Sequence, residues 1–136
     1  MIVVDTSAVL AALFARPVDP HLHARIAGDG DLHAPHLLDI EFLHALRRLV
    51  GSRTLSLDRA DDARRDLADL TLVRYPHHPL AARIWELRGS LTASDAAFVA
   101  LAEALGVPLV TCDGRLARAA RRLVQVELHG GGPRHA

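Results

Sequence analysis

Four acidic side chains stand where carboxylates could do chemistry: Asp5, Glu41, Asp95 and Asp113. Asp5 ends a short apolar run at the start of the chain, and Asp113 follows the apolar run at 109–111 almost directly. If these runs are strands of an open parallel sheet, both aspartates lie beyond the carboxyl ends of strands, where such folds bind ligands. The pattern therefore predicts an acidic pocket at one edge of a sheet.

The other two carboxylates lie on predicted helices. Glu41 sits on the shoulder of an apolar helix face, so that it half faces the core. Asp95 lies in the first turn of a helix whose next residues, 96–102, are all apolar. Both positions are compatible with a carboxylate that reaches the same pocket.

Each acid also has a plain structural interpretation. Asp5 could cap the helix that follows it, and Asp113 could open an ordinary turn. Asp95 completes the run at 92–95, which fits a capping box and favours the helix dipole. Glu41 could be a half-exposed helix residue. Taken one at a time these interpretations are favoured, so the residues alone leave both kinds of role open.

The elements that must position these acids alternate between short apolar runs and longer helical patterns. This alternation favours an α/β fold with a mainly parallel sheet. Strands are predicted at 2–5, 32–34, 72–75, 108–111 and 124–128, and helices at 8–15, 20–28, 37–50, 57–70, 79–88, 94–105 and 114–123. We expect a single domain over residues 1–129 and a flexible glycine-rich tail at 130–136.

Composition excludes several classes of protein. The 136 residues are the size of one domain, and 50% of them are hydrophobic, enough for a core without disulfides or structural metal. The one cysteine, Cys112, rules out an internal disulfide and favours a reducing compartment, so we expect a cytoplasmic protein without leader or membrane span. The chain has no lysine, which excludes P-loop phosphate binding and Schiff-base chemistry.

Four segments of the chain each carry one of the acids. They are IVVDTSA at 2–8, PHLLDIE at 35–41, LTASDAAFVALA at 91–102 and LVTCDGRLA at 109–117. In this order and at this spacing they resemble the motifs of PIN-domain nucleases, and within that family the VapC-type toxins of toxin–antitoxin pairs. The resemblance covers nearly the whole chain, to about residue 128. It implies a PIN-like α/β/α sandwich around a mainly parallel sheet of four to five short strands.

The sequence departs from the family pattern at a few positions near the acids. Ser94 stands where many relatives have tyrosine, and Phe98 where a second aromatic hydroxyl is common. Cys112 replaces a small residue, and Gly114 is a less common choice. None of these changes removes a carboxylate, so they bear on substrate contacts and packing more than on the chemistry.

The resemblance implies that the four acids converge on one pocket that binds Mg²⁺ or Mn²⁺ and hydrolyses RNA phosphodiester bonds. Clustered carboxylates repel each other unless a cation neutralises them, and Mg²⁺ prefers hard oxygen ligands. On this resemblance Asp5, Asp95 and Asp113 are the most direct ligands, and Glu41 is a ligand or a base that orients water. Whether one metal or two operate is left open.

Hydroxyl groups beside the acids are candidates for substrate or ligand contacts. Thr6, Ser7 and Thr111 could hydrogen-bond the metal ligands or the scissile phosphate. For Ser7 and Thr111 a cap or a turn is an equally good interpretation.

RNA would have to be held by local positive charge, because the formal net charge is zero, with 16 basic and 16 acidic residues. Arg115, Arg118 and Arg122 are predicted on one helical face just after the last acid, and Arg47 and Arg48 follow the second acid on its helix. These are candidate phosphate contacts, and a solvated helix face is the alternative.

The resemblance further implies a small cognate antitoxin and a homodimer, without showing which surface is used. A non-catalytic PIN-like module that binds RNA or protein is the alternative, and the four intact carboxylates count against it. A phosphatase built on Asp5 would need an aspartate two residues later, where Ser7 stands, and a lysine. The paired histidines at 21, 23, 77 and 78 have no matching acidic ligand at helical spacing and do not predict a zinc site.

Overall fold

The structure is a computed structural model that describes residues 1–14, 19–29 and 31–130. The expected end of the first helix at Ala15 and the expected tail beyond Gly130 lie outside the described residues. Within the ranges that are described, no helix is both long and apolar enough to cross a membrane.

Strands and helices alternate along the chain, as the pattern predicts. The strands are β1 (Ile2–Val4), β2 (Leu32–Pro35), β3 (Leu72–Tyr75), β4 (Leu109–Thr111) and β5 (Val126–Leu128). The α-helices are α1 (Thr6–Phe14), α2 (Pro20–Asp29), α3 (Leu37–Gly51), α4 (Leu57–Asp69), α5 (Ala81–Glu86), α6 (Ala93–Leu105) and α7 (Gly114–Ala120). All strand pairs in the described part are parallel, so the sheet is wholly rather than mainly parallel.

The order of the strands creates the place for a site. It runs β3-β2-β1-β4-β5, so the chain leaves the central strand β1 in one direction for β2 and β3, and later in the other direction for β4 and β5. Where the order reverses, the connections after β1 and β4 part and leave a crevice, which is where open α/β sheets bind ligands. Asp5 follows β1 and Asp113 follows β4, so both acids lie at that crevice.

The two strands beside the crevice are buried along their whole length. Every residue of β1 and β4 has 0% exposure, Thr111 included. Strands covered by helices on both faces need apolar residues at successive positions, which explains why Ile2, Val3 and Val4 follow one another without alternation. One cover is α6, which packs on β1, β2 and β4 with residues 96–102 buried. Asp5 and Asp113 therefore follow strands that are held on both faces by the core.

Two predicted helices are shorter than the pattern indicated. The segment predicted as one helix at 79–88 is a 3₁₀ turn at His78–Leu80 followed by the short α5. The last predicted helix ends at Ala120 rather than at residue 123, because the Leu123 amide donates to the Ala120 carbonyl at 2.8 Å and closes a tight turn. That turn moves the start of β5 from the predicted residue 124 to Val126.

Arginine forks join elements that are distant in the chain. In three pairs a guanidinium donates through two nitrogens to both oxygens of one carboxylate, at 2.5 to 3.1 Å: Arg25 with Glu127, Arg74 with Asp39, and Arg83 with Glu103. They tie α2 to β5, β3 to α3, and α5 to α6. This planar two-point geometry is available to arginine and not to lysine, so the absence of lysine costs the fold nothing here.

The end of α6 depends on a glycine, and we expect Gly106→Ala to lower the free energy of unfolding by about 1 kcal/mol. Gly106 has φ +68° and caps the helix in the left-handed conformation, where a Cβ is strained. An added Cβ would meet no atom within 4 Å, so the cost is one of backbone conformation and not of packing. Urea denaturation of both proteins measures it.

Gly51→Ala is the matched control for this prediction. Gly51 is the last residue of α3, has no positive φ, and would also place its Cβ in open space. We expect this variant to be as stable as the parent or about 0.5 kcal/mol more stable, since alanine restricts the unfolded chain. Equal effects of the two substitutions would contradict the conformational explanation.

Candidate active site

The four predicted acids lie together around one cavity at the crevice between β1 and β4. Asp5, Glu41, Asp95 and Asp113 all line this space, whose volume is about 360 Å³. They come from the ends of two strands and from two helices, α3 and α6. Residues separated by up to 108 positions in the chain (113 minus 5) thus share one pocket, as the sheet topology requires.

Asp5 is a buried carboxylate, with 5% of its surface exposed. One oxygen, Oδ1, accepts hydrogen bonds from the Ser7 hydroxyl at 2.7 Å and the Ala8 amide at 2.9 Å, and Oδ2 accepts one from the Thr111 hydroxyl at 2.6 Å. Burial raises the pKa of Asp5 to about 6 despite these bonds, and the nearby charge of Asp113 raises it further. A positive group near Asp5 would therefore stabilise its ionised form.

Thr111 and Ser7 hold Asp5 in place and connect the two strand ends. The fully buried Thr111 hydroxyl donates to Asp5 and accepts from the Asp113 amide at 3.0 Å. The Ser7 oxygen accepts from the Cys112 amide at 2.9 Å. Thr111 is not among the side chains around the cavity, so its place is behind Asp5, whereas Ser7 also lines the cavity.

The two oxygens of Asp113 make different contacts, one with the backbone of α7 and one with a side chain at the cavity. Oδ1 caps α7, accepting from the Arg115 amide at 2.9 Å and the Leu116 amide at 3.2 Å. Oδ2 accepts from the Arg115 guanidinium at 3.5 Å. The turn-forming role and the site role predicted as alternatives are therefore compatible in one side chain.

Asp95 meets the same guanidinium from the other side. The Asp95 amide donates to the Thr92 hydroxyl at 3.2 Å, and this bond caps the start of α6. Asp95 Oδ2 lies 3.1 Å from Arg115 Nη2. Contact with both acids raises the pKa of Arg115, chiefly through the hydrogen bond to Asp95. Arg115 thus bridges Asp95 and Asp113.

Glu41 reaches the cavity from α3 and is tied to the first residue of α1. The Thr6 hydroxyl donates to Glu41 Oε1 at 2.5 Å. This bond orients Glu41 toward the residues that follow Asp5. Of the predicted hydroxyl contacts, Thr6 and Ser7 line the cavity and act on carboxylates there.

The positive residues around the cavity match those expected only in part. Arg48 lines the cavity, together with His44, which the sequence analysis did not single out although both share a helical face with Glu41 at spacings of three and seven. Arg118 is exposed on α7 and is not among the lining residues. Arg122 is outside the helix altogether, because α7 ends at Ala120. The helix predicted to carry Arg115, Arg118 and Arg122 on one face thus ends before Arg122, and the contact of these arginines with RNA remains a prediction.

The donor set fits a hard divalent cation, although it does not form a ready cage. Among the residues described, no three acidic, histidine or cysteine side chains are arranged to hold a metal ion. Both oxygens of Asp5 accept hydrogen bonds, and Arg115 stands between Asp95 and Asp113. The chemistry still suits Mg²⁺ or Mn²⁺, because the donors are carboxylate oxygens and a positive group already sits where two of them face each other.

The fold and the site together define a class of protein. The sequence pattern of the PIN domain matches residues 2–122, and the chain therefore belongs to the PIN-domain family. This confirms the resemblance inferred from the four acidic motifs.

Within this family, the chain is similar to several proteins named as VapC ribonucleases. Ribonuclease VapC9 of Mycobacterium tuberculosis (strain ATCC 25618 / H37Rv) is 49% identical over 119 residues, which are 85% of this chain and 88% of that protein. Ribonuclease VapC12 of the same strain is 37% identical over 128 residues, 94% and 98% of the two chains. The crystal structure of PAE2754 from Pyrobaculum aerophilum superposes with a TM-score of 0.69 at 25% identity and covers 91% of this chain and 82% of its own.

Proposed function

We propose that this protein is a divalent-metal-dependent endoribonuclease that acts as the toxin of a toxin–antitoxin pair. The observation that carries the proposal is the convergence of Asp5, Glu41, Asp95 and Asp113 on one cavity at the switch point of a parallel sheet. The names of its relatives, ribonucleases VapC9 and VapC12, support RNA as the substrate.

Asp5, Asp95 and Asp113 would hold Mg²⁺ or Mn²⁺, and Glu41 would be a further ligand or the base that orients water. Bound there, the metal would make a water molecule more acidic and neutralise charge that develops on the phosphate. Glu41 is well suited to orient that water, because the Thr6 hydroxyl fixes one of its oxygens and leaves the other for the cavity. Thr111 and Ser7 keep Asp5 aimed at the site.

Arg48 and His44 would contact the RNA backbone. Both are exposed on α3 and line the cavity beside Glu41. Positive charge beside an acidic pocket is needed because the chain as a whole is neutral and offers no long-range attraction to RNA. Aromatic side chains make up 4% of the chain, so recognition would depend on RNA shape more than on stacking of bases.

The cellular setting also belongs to the proposal. We infer a small cognate antitoxin, a homodimer, a cytoplasmic location and a single catalytic domain over residues 1–129. The first two come from the likeness to VapC-type toxins. The cytoplasmic location agrees with a single cysteine in the chain.

Cleavage of a pool of structured RNAs by the purified protein tests the proposal. We expect cleavage with Mg²⁺ or Mn²⁺, and a loss of at least about 1,000-fold in EDTA, because a metal ion contributes several kcal/mol to such a transition state. Excess Mg²⁺ added after EDTA should restore the rate, which shows that the chelator has not simply unfolded the protein.

Two outcomes would count against this function. Cleavage that continues unchanged in EDTA would exclude the metal-dependent chemistry. Metal binding without cleavage of any RNA in the pool would favour the alternative, a non-catalytic module that binds RNA or protein.

A further inference from the structure

Arg115 makes a contact unlike those of the arginines that join the elements of the fold. Each of the three forks uses two guanidinium nitrogens on one carboxylate. Arg115 instead presents one nitrogen, Nη2, to two carboxylates, at 3.1 Å from Asp95 Oδ2 and 3.5 Å from Asp113 Oδ2. Its guanidinium is therefore held by two acids of the cavity at once, one in α6 and one at the start of α7.

The surroundings of Arg115 make this contact easy to exchange. The side chain is 63% exposed, whereas Asp95 is only 19% exposed. An exposed ion pair is worth little, because water and salt screen it and a long side chain loses freedom to form it. The guanidinium can leave without disturbing the core, since the residue stands in the first turn of α7 with its side chain in solvent.

The arrangement also explains why the acids do not form a metal cage. Two of the oxygens suited to a cation face one another across the Arg115 nitrogen. A guanidinium there relieves the repulsion between Asp95 and Asp113 as a divalent cation would, but with half the charge or less. A divalent cation placed between the same two oxygens would be repelled by the guanidinium, so the two positive groups compete for this position.

We propose that Arg115 is the resident counter-ion of the metal site: it holds Asp95 and Asp113 together in the metal-free protein and must release both oxygens before a divalent cation binds. Arg115 is thus a positioning residue that acts through the two acids. This inference rests on the proposed function, because it assumes that the cavity takes a metal.

Calorimetric titration of the metal-free protein with Mn²⁺ tests the inference without any need for activity. We expect Arg115→Gln to bind Mn²⁺ about fivefold more tightly than the wild type. The reason is that Mn²⁺ no longer has to displace an exposed ion pair from Asp95 and Asp113. Arg115→Lys should bind with intermediate affinity, because an ammonium group retains the charge but is a single point donor.

Arg121→Gln is the matched control, since it removes the same charge from the far end of α7. Arg121 is exposed and lies roughly 9 Å further along the helix axis, which is about a Debye length at physiological salt. We expect it to leave the Mn²⁺ affinity unchanged. An equal gain in both variants would show a general charge effect and overturn the proposal.

Mn²⁺ binding in an Asp95→Asn background, together with RNA cleavage by the wild type, separates this inference from the proposed function. In an Asp95→Asn background the gain from Arg115→Gln should shrink, because one of the two competing contacts is already gone. Wild-type protein that binds Mn²⁺ and cleaves RNA, combined with unchanged affinity in Arg115→Gln, would overturn the counter-ion role alone. Wild-type protein that binds no Mn²⁺ would overturn both proposals.

Discussion

Asp95→Asn should lower kcat/KM for RNA cleavage by about 1,000-fold while the protein keeps its fold. The substitution keeps one side-chain oxygen, now a neutral amide carbonyl, but removes the negative charge that would hold a cation, and the loss of several kcal/mol of charge stabilisation gives this factor. The Asp95 amide still donates to Thr92, so the start of α6 is preserved. Cleavage kinetics with Mg²⁺, together with circular dichroism, measure both parts of the prediction.

Asp66→Asn is the control for the loss of one negative charge. Asp66 is exposed on α4 and is not among the side chains around the cavity. This variant should cleave RNA at the wild-type rate, since a surface charge outside the cavity is screened by salt. If Asp95→Asn also cleaved at the wild-type rate, Asp95 would have no role in the chemistry.

Asp5→Asn should stabilise the metal-free protein at pH 8 by about 1 to 2 kcal/mol and lose this advantage in acid. The pKa of Asp5 is about 6 in the folded protein, against an ordinary value of 3.8 for an aspartate. The folded state therefore binds the proton more tightly, and the ionised side chain costs about 3 kcal/mol above pH 6. The amide avoids that cost but gives up part of the hydrogen bonding with Thr111 and Ser7, which leaves the smaller net gain.

The sign of the pH dependence follows from the raised pKa. Wild-type stability should fall as the pH rises from about 4 to about 6, as Asp5 loses its proton in the folded state, and then stay level with respect to this group. Urea denaturation in EDTA at pH 4, 6 and 8 measures the difference between Asp5→Asn and wild type. EDTA is needed because a bound cation would stabilise the wild type selectively.

Glu103→Gln should show the opposite pH dependence and serves as the comparison. The hydrogen bonds from Arg83 hold the pKa of Glu103 below its usual value. This pair stabilises the fold above the ordinary pKa of a glutamate, and its contribution disappears as the pH falls through the lowered value. An effect of Asp5→Asn on the free energy of unfolding that is equal at pH 4 and pH 8 would mean that the buried charge is not the cause.

The structural and the chemical interpretations of the acids are compatible. Asp5 and Asp113 each give one oxygen to the backbone at the start of a helix, as capping residues do. The second oxygen of Asp5 accepts from Thr111 and that of Asp113 meets Arg115, both within the same site. A local pattern cannot decide between these roles because a carboxylate has enough lone pairs for both.

The sequence by itself determined the elements and the four acids. The uninterrupted apolar run of β1 and the apolar Leu109 and Val110 of β4 identify buried strands, and the parallel α/β alternation places Asp5 and Asp113 at one sheet edge. Glu41 and Asp95 lie on helices, where periodicity shows only which face of the helix a residue occupies. The likeness to PIN-domain motifs was needed to predict that they share a pocket with Asp5 and Asp113.

Only the tertiary structure decided which other side chains belong to the site. It set Thr111 behind Asp5, put His44 and Arg48 on the cavity wall, and ended α7 before Arg122. It also placed Arg115 between two acids, one of them 20 residues away. The physical reason is that hydrophobic periodicity records which face of an element is buried, whereas the direction of a polar side chain depends on charges brought near it by elements distant in the chain.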